Sequence, residues 1–244
     1  MSEGRSTPTA RLLYVSFWRK IHTILINNER ASGANLMKLI PFFSRLQKRS
    51  RSEARNEIIV ISGLPRSGTS MMMKILESGG QDILTDHRRP PNEDNPQGYY
   101  EFERVKALRT GDIAWLPAAS GKAVKIISAL LEYLPPDYDY KIIFMRRDLD
   151  EILMSQRQML LRSGENADKI SDAQMKALFE EHLATVETWL QGQPRMQTLY
   201  VSYNDLLRDP EPHLYHVQSF IGKPHNLLAM KQVIDPGLYR QRSR

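Results

Sequence analysis

Gly63 and Gly68 stand five positions apart, and two hydroxyl residues, Thr69 and Ser70, follow at once in the stretch G-L-P-R-S-G-T-S. Glycines at this spacing let the backbone turn tightly, so that successive N–H groups converge on an anion. The ATP-binding pattern G-x-x-x-x-G-K-[ST] has the same spacing, but it places a lysine where Thr69 stands. That lysine neutralises the transferring phosphates of ATP. Here the nearest cation is Arg66, inside the loop. The residue types describe a phosphate-type anion held by loop amides, Arg66 and hydroxyls, with less reason to expect a nucleoside triphosphate and magnesium. The plain alternative is a strand–turn–helix whose glycines only make the turn.

Such a loop needs a strand to deliver it and a helix to receive it. Ile58 to Ile61 form a continuous apolar run, as in a strand buried on both faces. Met71, Met72, Ile75 and Leu76 follow at helical spacing, which puts the anion at the positive end of a helix. Gly79–Gly80 closes that helix. Further strands are expected at Asp82–Thr85, Lys122–Ile127, Tyr140–Met145 and Gln197–Val201. Helices are expected from near Glu103, over Ser128–Leu134, from Asp148 to about Leu161, over Ser171–Leu190, from Asp209–Pro210 to near Gly222, and over Asn226–Val233. Asp148 and Glu151 match a capping box, a structural task for both acids. Asp86–Gly98 carries three prolines and no helical period. It predicts a loop past the carboxyl end of a strand, where open α/β sheets place ligands. Alternating strands and helices imply a three-layer α/β fold, a mostly parallel sheet covered on both faces as in P-loop NTPases.

Pro65 to Ser70, P-R-S-G-T-S, resembles the loop of sulfotransferases that use 3′-phosphoadenosine 5′-phosphosulfate (PAPS). The resemblance implies that Pro65, Arg66, Ser67, Gly68, Thr69 and Ser70 hold the 5′-phosphosulfate, with Arg66 stabilising the transfer. A second similar segment is YKIIFMRRDLDEILMSQRQM. There Arg147 and Ser155 have the family's eight-residue spacing for clasping the 3′-phosphate, although Asp148–Leu149–Asp150–Glu151 departs from the usual Asn-Pro-x-Asp. VSYNDLLRDP is similar to a segment whose tyrosine lies near the adenine, the place of Tyr203. Tyr239 and Arg240, in a basic tail, match the closing segments of some relatives. Together the similar segments span roughly Glu57 to Gly222.

The resemblance also frames the chemistry. Lys125 matches a lysine that contacts the phosphosulfate bridge, but Ile127 stands where many members carry a histidine base. A proton acceptor must then come from elsewhere. Some branches use a carboxylate from the segment after the first βα unit. N-P-Q-G-Y-Y-E, Asn95 to Glu101, resembles one such motif and puts Glu101 forward, followed by Glu93 or Asp94. Asp86 and His87 share the segment, and these acids could equally pair with Arg88, Arg89 and Arg104. Transfer of this kind implies PAPS as co-substrate, PAP as product and no metal. The expected partner is a small-molecule or carbohydrate hydroxyl acceptor. Two rival readings stay open: a P-loop kinase for nucleotides or small molecules, and a non-catalytic PAPS/PAP-binding protein.

The chain has 244 residues, no cysteine and a net charge of +6. Absence of cysteine excludes disulfides, thiol nucleophiles and cysteine–metal sites. Residues 1–56 hold eleven Lys and Arg against three Asp and Glu, so the rest of the chain is close to −2. This separates a basic helical extension and linker, 1–56, from a catalytic domain, 57–244. The basic excess is not spread over a nucleic-acid face, and no nucleic acid is expected as partner. Arg11–Asn27 and Asn35–Lys48 have amphipathic helical patterns that suit packing, homo-oligomer contacts or a peripheral membrane surface. No apolar run reaches the roughly 18 residues of a membrane span. No secretory signal is evident, so a cytoplasmic protein is the default.

Overall fold

The computed structural model describes residues 57–86, 88, 92, 95, 98–162, 164, 171–235 and 237. The expectations for residues 1–56, His87, Glu93, Asp94, Tyr239 and Arg240, and for most of Ser163–Lys169, lie outside these residues.

Ile58, Ile59, Val60 and Ile61 are all buried in strand β1, Glu57–Gly63. Ile58 and Val60 enter one apolar cluster, Ile59 and Ile61 the other. Both faces are covered, which is why the strand is an unbroken apolar run. Each such side chain contributes roughly 1.5–3 kcal/mol of burial. The chain then forms α1 (Thr69–Ser78), a 3₁₀ helix (Glu103–Thr110), α2 (Leu116–Ala119), β2 (Ala123–Lys125), a second 3₁₀ helix (Ser128–Tyr133) and β3 (Asp139–Arg146). After these come α3 (Leu149–Arg162), α4 (Asp172–Gln191), β4 (Met196–Ser202), α5 (Tyr203–Arg208), α6 (Pro210–Ile221) and α7 (Leu227–Gln232).

The four strands lie in the order β2-β1-β3-β4, all parallel. One face is covered by α4, α2 and the 3₁₀ helices, the other by α1, α5, α6 and α7. The chain passes from β1 to β2 on one side, then crosses back to β3 on the other. The carboxyl ends of β1 and β3 therefore flank a topological switch point, where open sheets bind ligands. The expected three-layer α/β fold is present.

Two local expectations need correction. Asp82–Thr85 is not a strand; it makes a single parallel bridge, Ile83 to Ala123. The chain turns away because Thr85 Oγ1 and the Asp86 amide both donate to the Glu101 carbonyl, at 2.8 and 3.2 Å. The Asp148/Glu151 capping box is only half formed. Asp148 Oδ1 accepts from the Glu151 amide at 3.1 Å, but the Glu151 carboxylate turns inward to Arg147 and Asn204. The reciprocal box forms at Ser171 and Gln174 instead, where it starts α4.

Asp86 has a cap role of its own. Its Oδ2 accepts from the Glu103 amide at 2.7 Å, at the start of the first 3₁₀ helix, and Oδ1 from the Arg88 amide at 3.1 Å. Asp86→Ala is expected to cost about 1–2 kcal/mol. For a chain of this size that lowers the melting temperature by roughly 3–6 °C, which a thermal melt reads directly. An unchanged melt would remove the cap assignment.

Candidate active site

The loop between β1 and α1 is built by backbone geometry that few residues tolerate. Gly63 and Gly68 have φ of 141° and 98°. A Cβ on Gly63 would lie 2.6 Å from the Met145 carbonyl oxygen, and one on Gly68 would lie 2.4 Å from the Tyr203 ring. Arg66 also lies in the left-handed region, at φ 73°. That conformation costs a non-glycine residue roughly 1 kcal/mol or more. Gly68 caps α1 with no side-chain hydrogen bond, so no side chain competes for the first amides of this helix. Ser67 Oγ is buried with no hydrogen-bond partner. A polar atom left so beside an unobstructed helix start fits an anion. Thr69 and Ser70 form the first turn of α1.

Three cations converge on this loop. Arg66 Nε donates to Ser155 Oγ at 2.9 Å. Lys125 Nζ donates to Ser70 Oγ at 3.2 Å and also to the Tyr99 carbonyl. Glu101 lies 4.0 Å from Lys125 Nζ and 3.8 Å from Lys106 Nζ. Ser70 Oγ shares the Tyr99 carbonyl at 3.2 Å. Arg147 Nη1 donates to the Arg66 carbonyl at 3.1 Å, which braces the left-handed turn from below.

Arg147 is held from every side. Its Nε donates to Glu151 Oε2 at 2.9 Å, in a pair where Glu151 is fully buried. Asn204 Nδ2 donates to the other Glu151 oxygen at 3.0 Å. The guanidinium carbon sits 4.4 Å over the Tyr203 ring. Tyr203 thus lies between Gly68 and Arg147, and burial first of all pushes its phenol up from the ordinary value. The structure places Pro65, Arg66, Ser67, Gly68, Thr69, Ser70, Lys125, Glu101, Arg147, Ser155 and Tyr203 around the carboxyl ends of β1, β2 and β3. It does not pair Ser155 with Arg147: the Ser155 hydroxyl is on Arg66, and Arg147 is on Glu151.

Three polar side chains were given no site role in the sequence. Glu151 could have been found from its i, i+4 spacing to Arg147. Asn204 follows Tyr203 directly but carries no motif signal. His182 lies on α4 with Nε2 at 2.9 Å from Ser128 Oγ, a contact between residues 54 positions apart. No local pattern announces it. Among the described residues no cluster of His, Cys, Asp and Glu is placed to hold a metal, and no helix is long and apolar enough to cross a membrane.

Solved structures that align with the molecule include the sulfotransferase domain from the curacin biosynthetic pathway, at 14% identity and a TM-score of 0.44, covering 73% of this chain and 78% of that one. The sulfotransferase domain of the Synechococcus PCC 7002 olefin synthase aligns at 17% identity and a TM-score of 0.42, covering 82% and 88%. A mouse sulfotransferase complexed with PAP aligns at 16% identity and a TM-score of 0.43, covering 74% and 63%. No curated protein sequence matches. The sequence profile of the sulfotransferase domain matches residues 56–236, nearly all of the chain beyond the basic extension. The chain belongs to the sulfotransferase family.

Proposed function

We propose that this sulfotransferase takes its sulfonate from PAPS and passes it to a hydroxyl acceptor by in-line transfer. The observation that carries the reading is the convergence of Arg66, Lys125 and the uncapped start of α1 on one loop containing an orphaned buried hydroxyl, Ser67. In sulfonate transfer, charge grows on the leaving phosphate oxygen. Fixed cations and N–H donors aimed there lower the barrier without having to reorganise. The loop amides, Arg66, Thr69 and Ser70 are placed for the 5′-phosphosulfate. Lys125, held on Ser70 Oγ and flanked by Glu101, is placed for the bridging oxygen. Glu101 is read first as the carboxylate that keeps the lysine there.

Arg147 and Ser155 border the loop on the β3 side, and they are the side chains that would meet the 3′-phosphate. Ser155 Oγ accepts from Arg66, which leaves its O–H to donate to a phosphate. A planar arginine fork suits a phosphate. Tyr203, packed against Gly68, would line the nucleoside side.

Thermal shift with PAP against ADP plus magnesium tests the donor. A ligand at 100 times its Kd stabilises the native state by about 2.7 kcal/mol. That raises the melting temperature by roughly 5–10 °C for a chain of this size. PAP is expected to give this shift, and ADP with magnesium is not. Stabilisation by ADP and magnesium alone would overturn the reading in favour of a kinase.

A further inference from the structure

Among the described residues, Arg66 and Tyr100 are the non-glycine positions in the left-handed region, and Tyr100 stands at φ 52°. A positive φ turns the carbonyl of the preceding residue toward a residue's own Cβ, and that crowding makes the conformation rare. At an ordinary negative φ, roughly 115° away, carbonyl and side chain point apart. Here both are used on one face of α1. Ser70 and Glu77 lie about 10 Å apart along that face, seven positions from one another on the helix. The Tyr99 carbonyl accepts from Ser70 Oγ at 3.2 Å and from Lys125 Nζ. The Tyr100 hydroxyl donates to Glu77 Oε2 at 2.6 Å, and its ring packs on the cluster beneath α1. Burial first, and then the Glu77 carboxylate, pushes the phenol above its ordinary value, so it stays the donor.

Taking PAPS as the donor, as above, we propose that Tyr100 and Glu77 are a positioning pair for the transfer step. Their hydrogen bond holds Tyr100 left-handed, and the left-handed turn aims the Tyr99 carbonyl at Lys125 and Ser70. An ammonium carries three protons, so two fixed acceptors, Ser70 Oγ and the Tyr99 carbonyl, set the direction of the third. That direction matters in the transition state, because a donor already aimed at the leaving phosphate oxygen need not reorganise as charge grows there. The phosphates themselves are gripped elsewhere in this reading, by the loop amides, Arg66 and Arg147. The pair therefore acts on the rate of transfer and not on affinity for the nucleotide. Glu77 also meets Lys74, at 3.1 Å, but in a solvent-facing pair that does not bear on the Tyr99 carbonyl.

Labelling of amines in the full chain with acetic anhydride, read by peptide mass spectrometry, reports on Lys125 without any turnover. The Lys125 side chain is only 10% exposed, so it should label slowly in the wild type. Lys141, held on the Ile221 carbonyl at 2.8 Å, serves as internal reference against general loosening. Labelling of Lys125 relative to Lys141 should rise about fivefold in Tyr100→Phe and in Glu77→Ala, the factor that one net hydrogen bond supplies. It should not rise in Lys74→Ala, which leaves the Tyr100 bond in place. With glycerol as the hydroxyl acceptor, kcat for PAPS turnover should fall about 10-fold in Tyr100→Phe, while the thermal shift by PAP stays as in the wild type. Tyr100→Gly and Tyr100→Ala both lose the ring, but glycine takes a positive φ at no steric cost, so Tyr100→Gly should turn over faster than Tyr100→Ala. A role in packing alone predicts the opposite order. Unchanged Lys125 labelling in Tyr100→Phe, Tyr100→Gly no faster than Tyr100→Ala, or a PAP shift lost in Tyr100→Phe alone overturns the proposal while leaving PAPS as donor. Absence of any PAP shift in the wild type overturns the PAPS reading itself, and this inference with it.

Discussion

Arg66→Ala is expected to lower kcat/KM for PAPS by about 10²- to 10³-fold, the usual loss when one fixed donor to a developing oxyanion is removed. The chain keeps the loop in shape by other means: Gly63 and Gly68 supply the positive φ angles, and Arg147 holds the Arg66 carbonyl. Those restraints act on the backbone, so they survive loss of the side chain. Arg66→Gly separates function from strain. Glycine at φ 73° relieves roughly 1 kcal/mol of left-handed strain and adds a similar entropy to the unfolded chain. Its melting temperature should stay near wild type while turnover falls as in Arg66→Ala. Arg66→Lys keeps the charge but not the planar fork that reaches Ser155, and an intermediate loss of about 10-fold is expected. Steady-state PAP release reads all three. Wild-type turnover in Arg66→Ala would remove the loop as the transfer site.

Glu151→Ala is expected to be the most destabilising single change in the site region, at about 3–5 kcal/mol. It leaves the Arg147 guanidinium, itself only 8% exposed, without its carboxylate. It also removes the acceptor for Asn204 Nδ2. A typical domain has only about 5–15 kcal/mol in total, so the melting temperature should drop by roughly 10 °C or more. Glu151→Gln keeps one of the two acceptor oxygens and turns the other into a donor, so it should lose less than Glu151→Ala without matching wild type. The double change Glu151→Ala with Arg147→Met removes the stranded charge and should recover much of the loss, although PAP binding should not return. Urea unfolding of wild type, Glu151→Ala, Arg147→Met and the double variant closes the cycle. Additive losses would show that the two side chains do not depend on one another.

The parts of this molecule visible in its sequence are those where one physical requirement dominates. β1 and β3 are buried on both faces, so nothing interrupts their apolar runs. The loop between β1 and α1 needs glycine where φ is positive, and the spacing of Gly63 and Gly68 shows it. Arg66 stood out because a cation inside such a loop has little other purpose. Elsewhere two requirements compete. Asp148 and Glu151 match a capping box, but Arg147 four residues earlier offers Glu151 a charge-assisted bond, which is stronger than one to a backbone amide. The carboxylate turns inward and the box stays half open. Asp82–Thr85 has strand character, yet the Glu101 carbonyl draws Thr85 and Asp86 away after one bridge. Asp86, weighed as a base, caps a helix 17 residues on. His182 and Ser128 are brought together only by tertiary packing, and neither the half-buried histidine nor the buried serine carries a local signal of the contact.

Lys125 joins two things that the chain separates by nearly thirty residues, the hydroxyl of Ser70 and the carbonyl of Tyr99. With Glu101 bonded through its own carbonyl to Thr85 and Asp86, both margins of the stretch 87–97 are riveted to the sheet. Apart from Asn92, whose Oδ1 accepts from the Tyr99 hydroxyl at 2.7 Å, residues between such rivets should tolerate exchange better than the rivets themselves. Under the proposed function, changes confined to 87–97 are expected to alter acceptor turnover more than the thermal shift by PAP, and the two measurements read these separately.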